Sequence, residues 1–465
     1  MDLGFLQKKY PEFVYENYFW KTASGDLTAV FRFTMGDIEF SPEIVIRGVD
    51  KRRIAKIGKS VVDNLVFHMG LAEIPSYWKS ACPPTVVIRA GYMDKKQTAF
   101  WSDLIANMGQ FFYENDLPFI KPEFRVECAK IKPYPAAFKD KVSDRCLVPL
   151  GGGKDSLVTL EVLRDAKKQL ATFTLNANAA LVRVAVASEA RNIAVERKID
   201  KKIVELNKLG YLNGHTPFSA ILSVMSVGLA AIFDCNQVAI SQERSSNEGN
   251  VKYRNRTVNH QYTKTFDFEN KFREYAKKYL VSRVDYYSFL RPLYELQIAG
   301  IFARRGKYFD TFLSCNRSFT ISARENRIDS GWCGKCSKCL SIFSMLYPFV
   351  GKEAAVKIFG RDMFDDAGML ETMRELTGQS AVKPFECVGT REESLVAFYL
   401  SSKVNSGRKP YLLEYFEKNI LPHQRNMERR AKKILTSWNK NHNLPKPFAA
   451  RLKKEIDACG KLELT

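Results

Sequence analysis

Residues 147–160 read LVPLGGGKDSLVTL, and this stretch limits the fold more than any other. A short apolar run ends in three contiguous glycines, followed by Lys154, Asp155 and Ser156 and then a helix-patterned segment. Glycines between a strand and a helix let a ligand approach the backbone, because no Cβ stands in the way. The following helix offers N–H groups without intrahelical partners to an anion. A carboxylate at Asp155 opposes that anion unless a cation bridges the two.

The surrounding pattern places the turn. From about residue 146, CLVPL reads as a strand and 156–168 as a helix. ATFTLNAN reads as a strand, 185–198 as a helix rich in alanine and valine, and KKIVELN as a third strand. Residues 218–233 read as a helix and NQVAISQE (236–243) as a strand. This alternation predicts βαβ units and a parallel sheet, with ligands beyond the carboxyl ends of the strands. Upstream, LTAVFRFTM, PEIVIRGV and PPTVVIRAGYM are strand candidates, and QTAFWSDLIANMGQFFYEND has helical spacing. Beyond 340 the chain reads as helical. The expected fold class is α/β: a parallel-sheet core domain at 146–350, an N-terminal α+β domain at 1–145, and a mainly helical, basic C-terminal region at 351–465.

Lysine and arginine number 72 against 51 acids, a net +21 that points to an anionic partner. The tail 401–465 holds 15 Lys and Arg against 6 Asp and Glu, which reads as a solvated helix face. No secretory signal is read in MDLGFLQKKYPEF. The longest apolar run, PFSAILSVMSVGLAAIF (217–233), carries three serines and falls short of the roughly 18–20 residues a spanning helix needs. The expectation is a cytoplasmic protein without a membrane span, whose ten cysteines are thiols or metal ligands. Cys333, Cys336 and Cys339 form C-x-x-C-x-x-C, with Cys315 upstream. Four thiolates suit a closed, structural zinc site, and Lys335 and Lys338 would offset its negative charge.

The glycine turn is neither a Walker A loop, which needs four residues between its glycines, nor a dinucleotide fingerprint, whose last glycine would fall on Ser156. It resembles the PP-loop of ATP pyrophosphatases, S-G-G-x-D-S: Gly152, Gly153, Lys154, Asp155 and Ser156 match, and Gly151 replaces the first serine. The resemblance implies a HUP-like core that binds ATP at Gly151, Gly152, Gly153, Asp155 and Ser156. It also implies Mg2+ held by Asp155, and cleavage to pyrophosphate through an adenylated intermediate. With the cysteine pattern, the chain also resembles 7-cyano-7-deazaguanine synthase, whose members are about half as long. An enzyme that modifies nucleobases or tRNA is therefore the alternative reading.

Three polar stretches sharpen the resemblance: YLNGHTPFSAI (211–221), SQERSSNEGN (241–250) and VNHQYTKTFDFE (258–269). With GGGKDS and CGKCSKC they are similar to the family of ATP-dependent UDP-N-acetylmuramoyl-L-alanyl-L-glutamate epimerases of peptidoglycan precursor synthesis. That resemblance implies a UDP-sugar peptide and ATP as partners, both polyanions, and no need for nucleic acid. His215 and His260 are the first candidates for proton transfer, since imidazole titrates near working pH; Lys154 joins them as a catalytic candidate. Glu243, Glu248, Tyr262 and Lys264 are alternatives. Asn213, Arg244, Arg254, Arg256 and Lys264 are candidate substrate-binding residues, the arginines for diphosphate or carboxylate groups.

Overall fold

The computed structural model describes residues 1–128, 143–319 and 331–459. The chain divides into two compact units. The first is Met1–Leu147 with Asn192–Val238 and Lys252–Tyr286; the second is Val148–Arg191 with Ala239–Val251 and Tyr287–Thr465. The fold class is mixed α/β with a helical C-terminal region, as the sequence predicts.

The first unit is built on β1 (Glu12–Ala23) and β2 (Asp26–Met35), an antiparallel hairpin. Its turn residues Ser24 and Gly25 are both left-handed, at φ +52° and +80°, the geometry that matches strand twist in a two-residue loop. Along β2 every second residue is buried, and Leu27, Ala29, Phe31, Phe33 and Met35 reach the core, the period of two that fixes register. β3 (Ile38–Phe40) and β4 (Glu43–Ile46) pair antiparallel with β2, while β5 (Thr85–Ile88) and β6 (Glu123–Val126) extend the other edge in parallel. The helix Lys59–Trp78 packs on β1, with Phe67 stacked on Tyr15 at 5.8 Å between ring centroids.

β7 (Arg145–Pro149), β8 (Gln169–Leu175), β9 (Arg191–Lys198) and β10 (Gln237–Ile240) follow. In the first unit β7 and β10 run parallel, through Cys146 opposite Gln237 and Leu147 opposite Val238. Two expectations fail here. The helix expected at 185–198 is a helix at Ala179–Ala187 followed by the strand β9. Glu189, left-handed at φ +52°, breaks the helix. Ile193 and Val195 then alternate into the core, and β9 pairs antiparallel with β4. The strand expected at KKIVELN is the helix Lys202–Lys208: Ile203 and Leu206 are buried three residues apart, and Asp200 accepts from the Lys202 N–H at 2.8 Å. His215 and Asn213 therefore follow a helix, not a third strand.

In the second unit the helix Lys154–Asp165 leaves the glycine turn, and Leu150 donates its N–H to Phe173 of β8. The helices Glu295–Ala303, Ser337–Phe359 and Arg391–Val404 pack on one another. Ser337–Phe359 is, among the described residues, the one helix long and apolar enough by length and composition to cross a membrane; 61% of its apolar window is buried in the protein. It carries Pro348 and breaks at Gly351, where φ is +78°. The apolar helix Phe218–Ile232 is buried along most of its length, as expected.

Candidate active site

The glycine turn closes directly after β7, and its three glycines differ in what constrains them. Gly152 is left-handed at φ +84°, a conformation L side chains rarely adopt. Gly153 meets Ser314: a Cβ added there would lie 3.1 Å from Ser314 Cβ. Gly151 faces open space, with nothing within 4 Å of an added Cβ. The helix Lys154–Asp165 has no side-chain cap on its first turn, and Ser156 Oγ instead donates to the Gly153 carbonyl at 3.1 Å. Asp155 is therefore not a capping residue, and it keeps a partly exposed carboxylate at the turn.

Two carboxylates that the sequence reading did not unite with Asp155 come to it. Asp155, the buried Glu243 and the buried Glu295 each present an oxygen within 4.8 Å of the others. Glu295 opens the helix Glu295–Ala303, and the fully buried Lys154 bridges it to Asp155. Burial alone would lower the Lys154 ammonium, but Asp155 and Glu295 together outweigh it and raise its pKa. The Glu243 loop is tied down by two further residues missed in the sequence. The buried guanidinium of Arg291 donates to the Glu243 carbonyl at 2.6 Å and to Ser246 Oγ at 3.0 Å. Glu393 accepts from Ser245 Oγ at 2.7 Å and from the Leu296 N–H at 3.1 Å, and it completes a capping box with Thr390. Burial pushes the Glu393 carboxyl up. The only sequence signal for Glu393 is T-x-x-E before an apolar run.

Both candidate histidines belong to the first unit and meet there. The rings of His215 and His260 stand edge to face, 4.7 Å between centroids. His260 Nδ1 bonds Gln110 Oε1, and Gln110 Nε2 donates to Glu114 Oε1, so the network assigns the proton of His260 to Nδ1. The His215 loop is held by Lys79, which bonds the Gly214 carbonyl and reaches Thr216 Oγ1 at 2.9 Å. Gly214, at φ +145°, leaves no room for a side chain beside Glu114. Burial, then the positive charges of His260, Lys79 and Lys264, push His215 down to about 3, so its imidazole stays neutral and basic in form at neutral pH. Burial likewise lowers Lys79 to about 8.

The other predicted residues scatter. Asn213 is exposed, and its carbonyl accepts from Asn115 Nδ2 at 2.8 Å. Arg254 and Arg256 sit on an exposed hairpin, Arg254 paired with Asp116 at 3.2 Å and Arg256 over the Phe119 ring. In the second unit Arg244 stacks on Tyr294 at 4.2 Å. Glu248 pairs with the buried Lys383 at 3.1 Å and accepts the Arg391 N–H at 3.0 Å, a structural set of bonds. Tyr262 lies among Asp103, Asp267 and Lys271. A cavity of 480 Å³ in the first unit is lined by Phe100, Asp103, Lys271, Tyr275 and Lys278, and by none of the predicted residues.

The four cysteines converge in the second unit. The sulfurs of Cys315, Cys333, Cys336 and Cys339 all lie within 4.8 Å of one another. Hydrogen bonds from the Cys336 and Cys339 thiols favour the Cys315 thiolate, and the same bond pushes Cys336 up to about 12.

Two family models match the chain: MurL N-terminal domain over residues 5–289 and MurL C-terminal domain over residues 311–431. Three curated proteins named UDP-N-acetyl-alpha-D-muramoyl-L-alanyl-L-glutamate epimerase are similar. The protein from Micromonospora sp. is 35% identical over 333 residues, 72% of this chain and 73% of its own length. That from Salinispora tropica is 34% identical over 356 residues, covering 77% and 76%. That from Xanthomonas oryzae pv. oryzae is 34% identical over 349 residues, covering 75% and 76%. No solved structure matches at a significant level.

Proposed function

The chain belongs to the MurL family, and from that premise we propose that it epimerises the terminal L-glutamate of UDP-MurNAc-L-Ala-L-Glu to D-glutamate in peptidoglycan precursor synthesis. The relatives' names carry the substrate. One observation supports the chemistry: the uncapped glycine turn with Lys154 and three converging carboxylates at its exit.

An α-proton beside an ionised carboxylate is too weakly acidic to remove. In this reading a glutamyl carboxylate oxygen attacks the α-phosphorus of ATP, and pyrophosphate leaves. The resulting acyl-adenylate carries no carboxylate charge, so its α-carbon gives up a proton to a base. A proton returned to the opposite face inverts the centre, and water cleaves the adenylate to AMP and the D-glutamyl product.

The N–H groups of the turn and of the uncapped helix suit the β,γ-pyrophosphate. Three carboxylate oxygens are the hard donors that Mg2+ takes, so Asp155, Glu243 and Glu295 fit that ion. Bound there, it would neutralise phosphate charge as pyrophosphate leaves. Lys154 holds Asp155 and Glu295 in position and supplies a fixed positive charge. His215 and His260, the latter oriented by Gln110, are the proton-transfer candidates of this reading. Two groups serving opposite faces of a carbon, each about 3–3.5 Å from it, stand roughly 6–7 Å apart with the carbon between them. Rings in contact at 4.7 Å leave no such gap, so the pair serves one face. Lys79 and Lys264 give that place the positive charge to hold a substrate carboxylate. UDP-linked peptides and ATP are cytoplasmic metabolites, and the reading places the enzyme with them.

The test is turnover in heavy water with ATP, magnesium and UDP-MurNAc-L-Ala-L-Glu. Deuterium must appear at the glutamyl α-position, only when ATP is present, together with AMP, pyrophosphate and D-glutamyl product. In His215→Ala, pyrophosphate release should persist while α-exchange falls by roughly 10²–10⁴-fold. ATP cleavage without α-deuterium would overturn the epimerase reading and favour the nucleobase- or tRNA-modifying alternative.

A further inference from the structure

We propose that Cys315, Cys333, Cys336 and Cys339 hold one structural zinc ion, and that this ion is a strut that fixes the glycine turn. The sulfurs are already arranged for it. A tetrahedron with Zn–S bonds of about 2.3 Å has sulfur–sulfur edges of about 3.8 Å. Cys333 and Cys339 stand 3.7 Å apart and Cys336 and Cys339 3.4 Å, and the widest separation in the set stays within 4.8 Å. That leaves room for one ion and none for a cluster with several irons. The surroundings are also built for thiolates: the Lys335 N–H points at Cys333 Sγ from 3.5 Å, and Cys315, Cys336 and Cys339 are buried. Zn2+ takes the thiolate form, so up to four protons leave as the four Zn–S bonds form.

The four ligands come from two chain segments, and each segment leads to the turn. From Cys315 the chain passes back to Ser314, which closes against Gly153, and to Leu313, whose N–H donates to the Gly152 carbonyl at 2.9 Å. Cys336 and Cys339 open the helix Ser337–Phe359. Between them Lys338 bonds the Cys387 carbonyl and lies 4.0 Å from Glu295 Oε1, the carboxylate that holds Lys154. An ion joining these segments sets the height of the turn from one side and the position of Glu295 from the other. Four thiolates fill its coordination, so it takes no part in bond making. Neither half of the proposal depends on the epimerase reading.

The full chain, produced in zinc-sufficient medium and purified without chelators, should contain about one zinc per chain by mass spectrometry. Cobalt-grown protein should show the intense visible absorption of a tetrahedral cobalt thiolate. Cys336→Ser should lose the metal; if that variant does not fold, wild-type protein stripped by a chelator takes its place. Hydrogen exchange of the stripped protein should rise about tenfold or more at residues 150–157, 313–319 and 331–340, with residues 12–35 unchanged. Absence of zinc, or iron at the same stoichiometry, would overturn the metal assignment. Exchange that rises nowhere, or everywhere alike, would overturn the strut.

Discussion

At Asp155 the residue's charge separates the two roles that a carboxylate at a helix start can have. Asp155 makes no capping bond but pairs with the fully buried Lys154, so Asp155→Asn should lower the melting temperature through the lost ion pair while AMP formation falls by orders of magnitude. Calorimetry beside a pyrophosphate assay checks both. Gly151 and Gly152 should separate as sharply. Gly151→Ser adds a Cβ that meets nothing within 4 Å, so it should fold and turn over like the wild type. Gly152→Ala must hold φ near +84°, a strain of about 1–2 kcal/mol, and should lose ATP binding measured by calorimetric titration. Asp155 and the cysteines were legible because their motifs are contiguous or closely spaced. Glu295 was not: it stands 141 positions from Lys154, and nothing local in LYELQIAG marks it as that lysine's partner. Lys79 and Arg291 were hidden for the same reason.

Elements were legible where hydrophobic period and length agreed. β2, with its strict alternation, and the apolar helix Phe218–Ile232 stand where the sequence put them. β9 did not, because RNIAVERK carries helix-forming residues whose placement is decided by tertiary partners. Arg197 of β9 reaches the fully buried Glu73 with two bonds of 2.6 Å, a pairing 124 positions apart that no window of sequence contains. The helix Arg391–Val404 shows the same dependence in the second unit. Its Glu393 satisfies the Thr390 N–H, the Leu296 N–H and the Ser245 hydroxyl at once. Glu393→Ala leaves these buried donors unpaired, which should cost about 3–5 kcal/mol in urea unfolding of the second unit. AMP formation should fall as well, since Leu296 and Ser245 set the start of the helix that carries Glu295. Glu393→Gln keeps an acceptor and should recover part of both losses.

At the scale of the whole molecule, the two units should respond differently to acid. The first unit buries His68 as a neutral imidazole, whose Nδ1 bonds the Asn64 carbonyl at 2.8 Å. Burial pushes His68 down to about 4 from an ordinary 6.5. His215, in the same unit, is lowered to about 3. A lowered folded-state pKa means the unfolded chain takes up protons first. The stability these groups confer is therefore complete above pH 6.5 and is lost as pH falls through about 4. Linkage for His68 alone gives a loss of about 2 kcal/mol between pH 7 and pH 5, with His215 adding in the same direction. Calorimetry from pH 7 to pH 5 should move the transition of the first unit downward more than that of the second. Hydrogen exchange in β1 and β2, against that in the helix Ser337–Phe359, assigns each transition to its unit. His68→Gln removes one titrating group and should flatten the acid slope of the first unit by about the His68 share, even if it lowers stability at pH 7. An acid slope that is unchanged in His68→Gln would mean that carboxylate protonation, not buried imidazole, sets the acid limit of this fold.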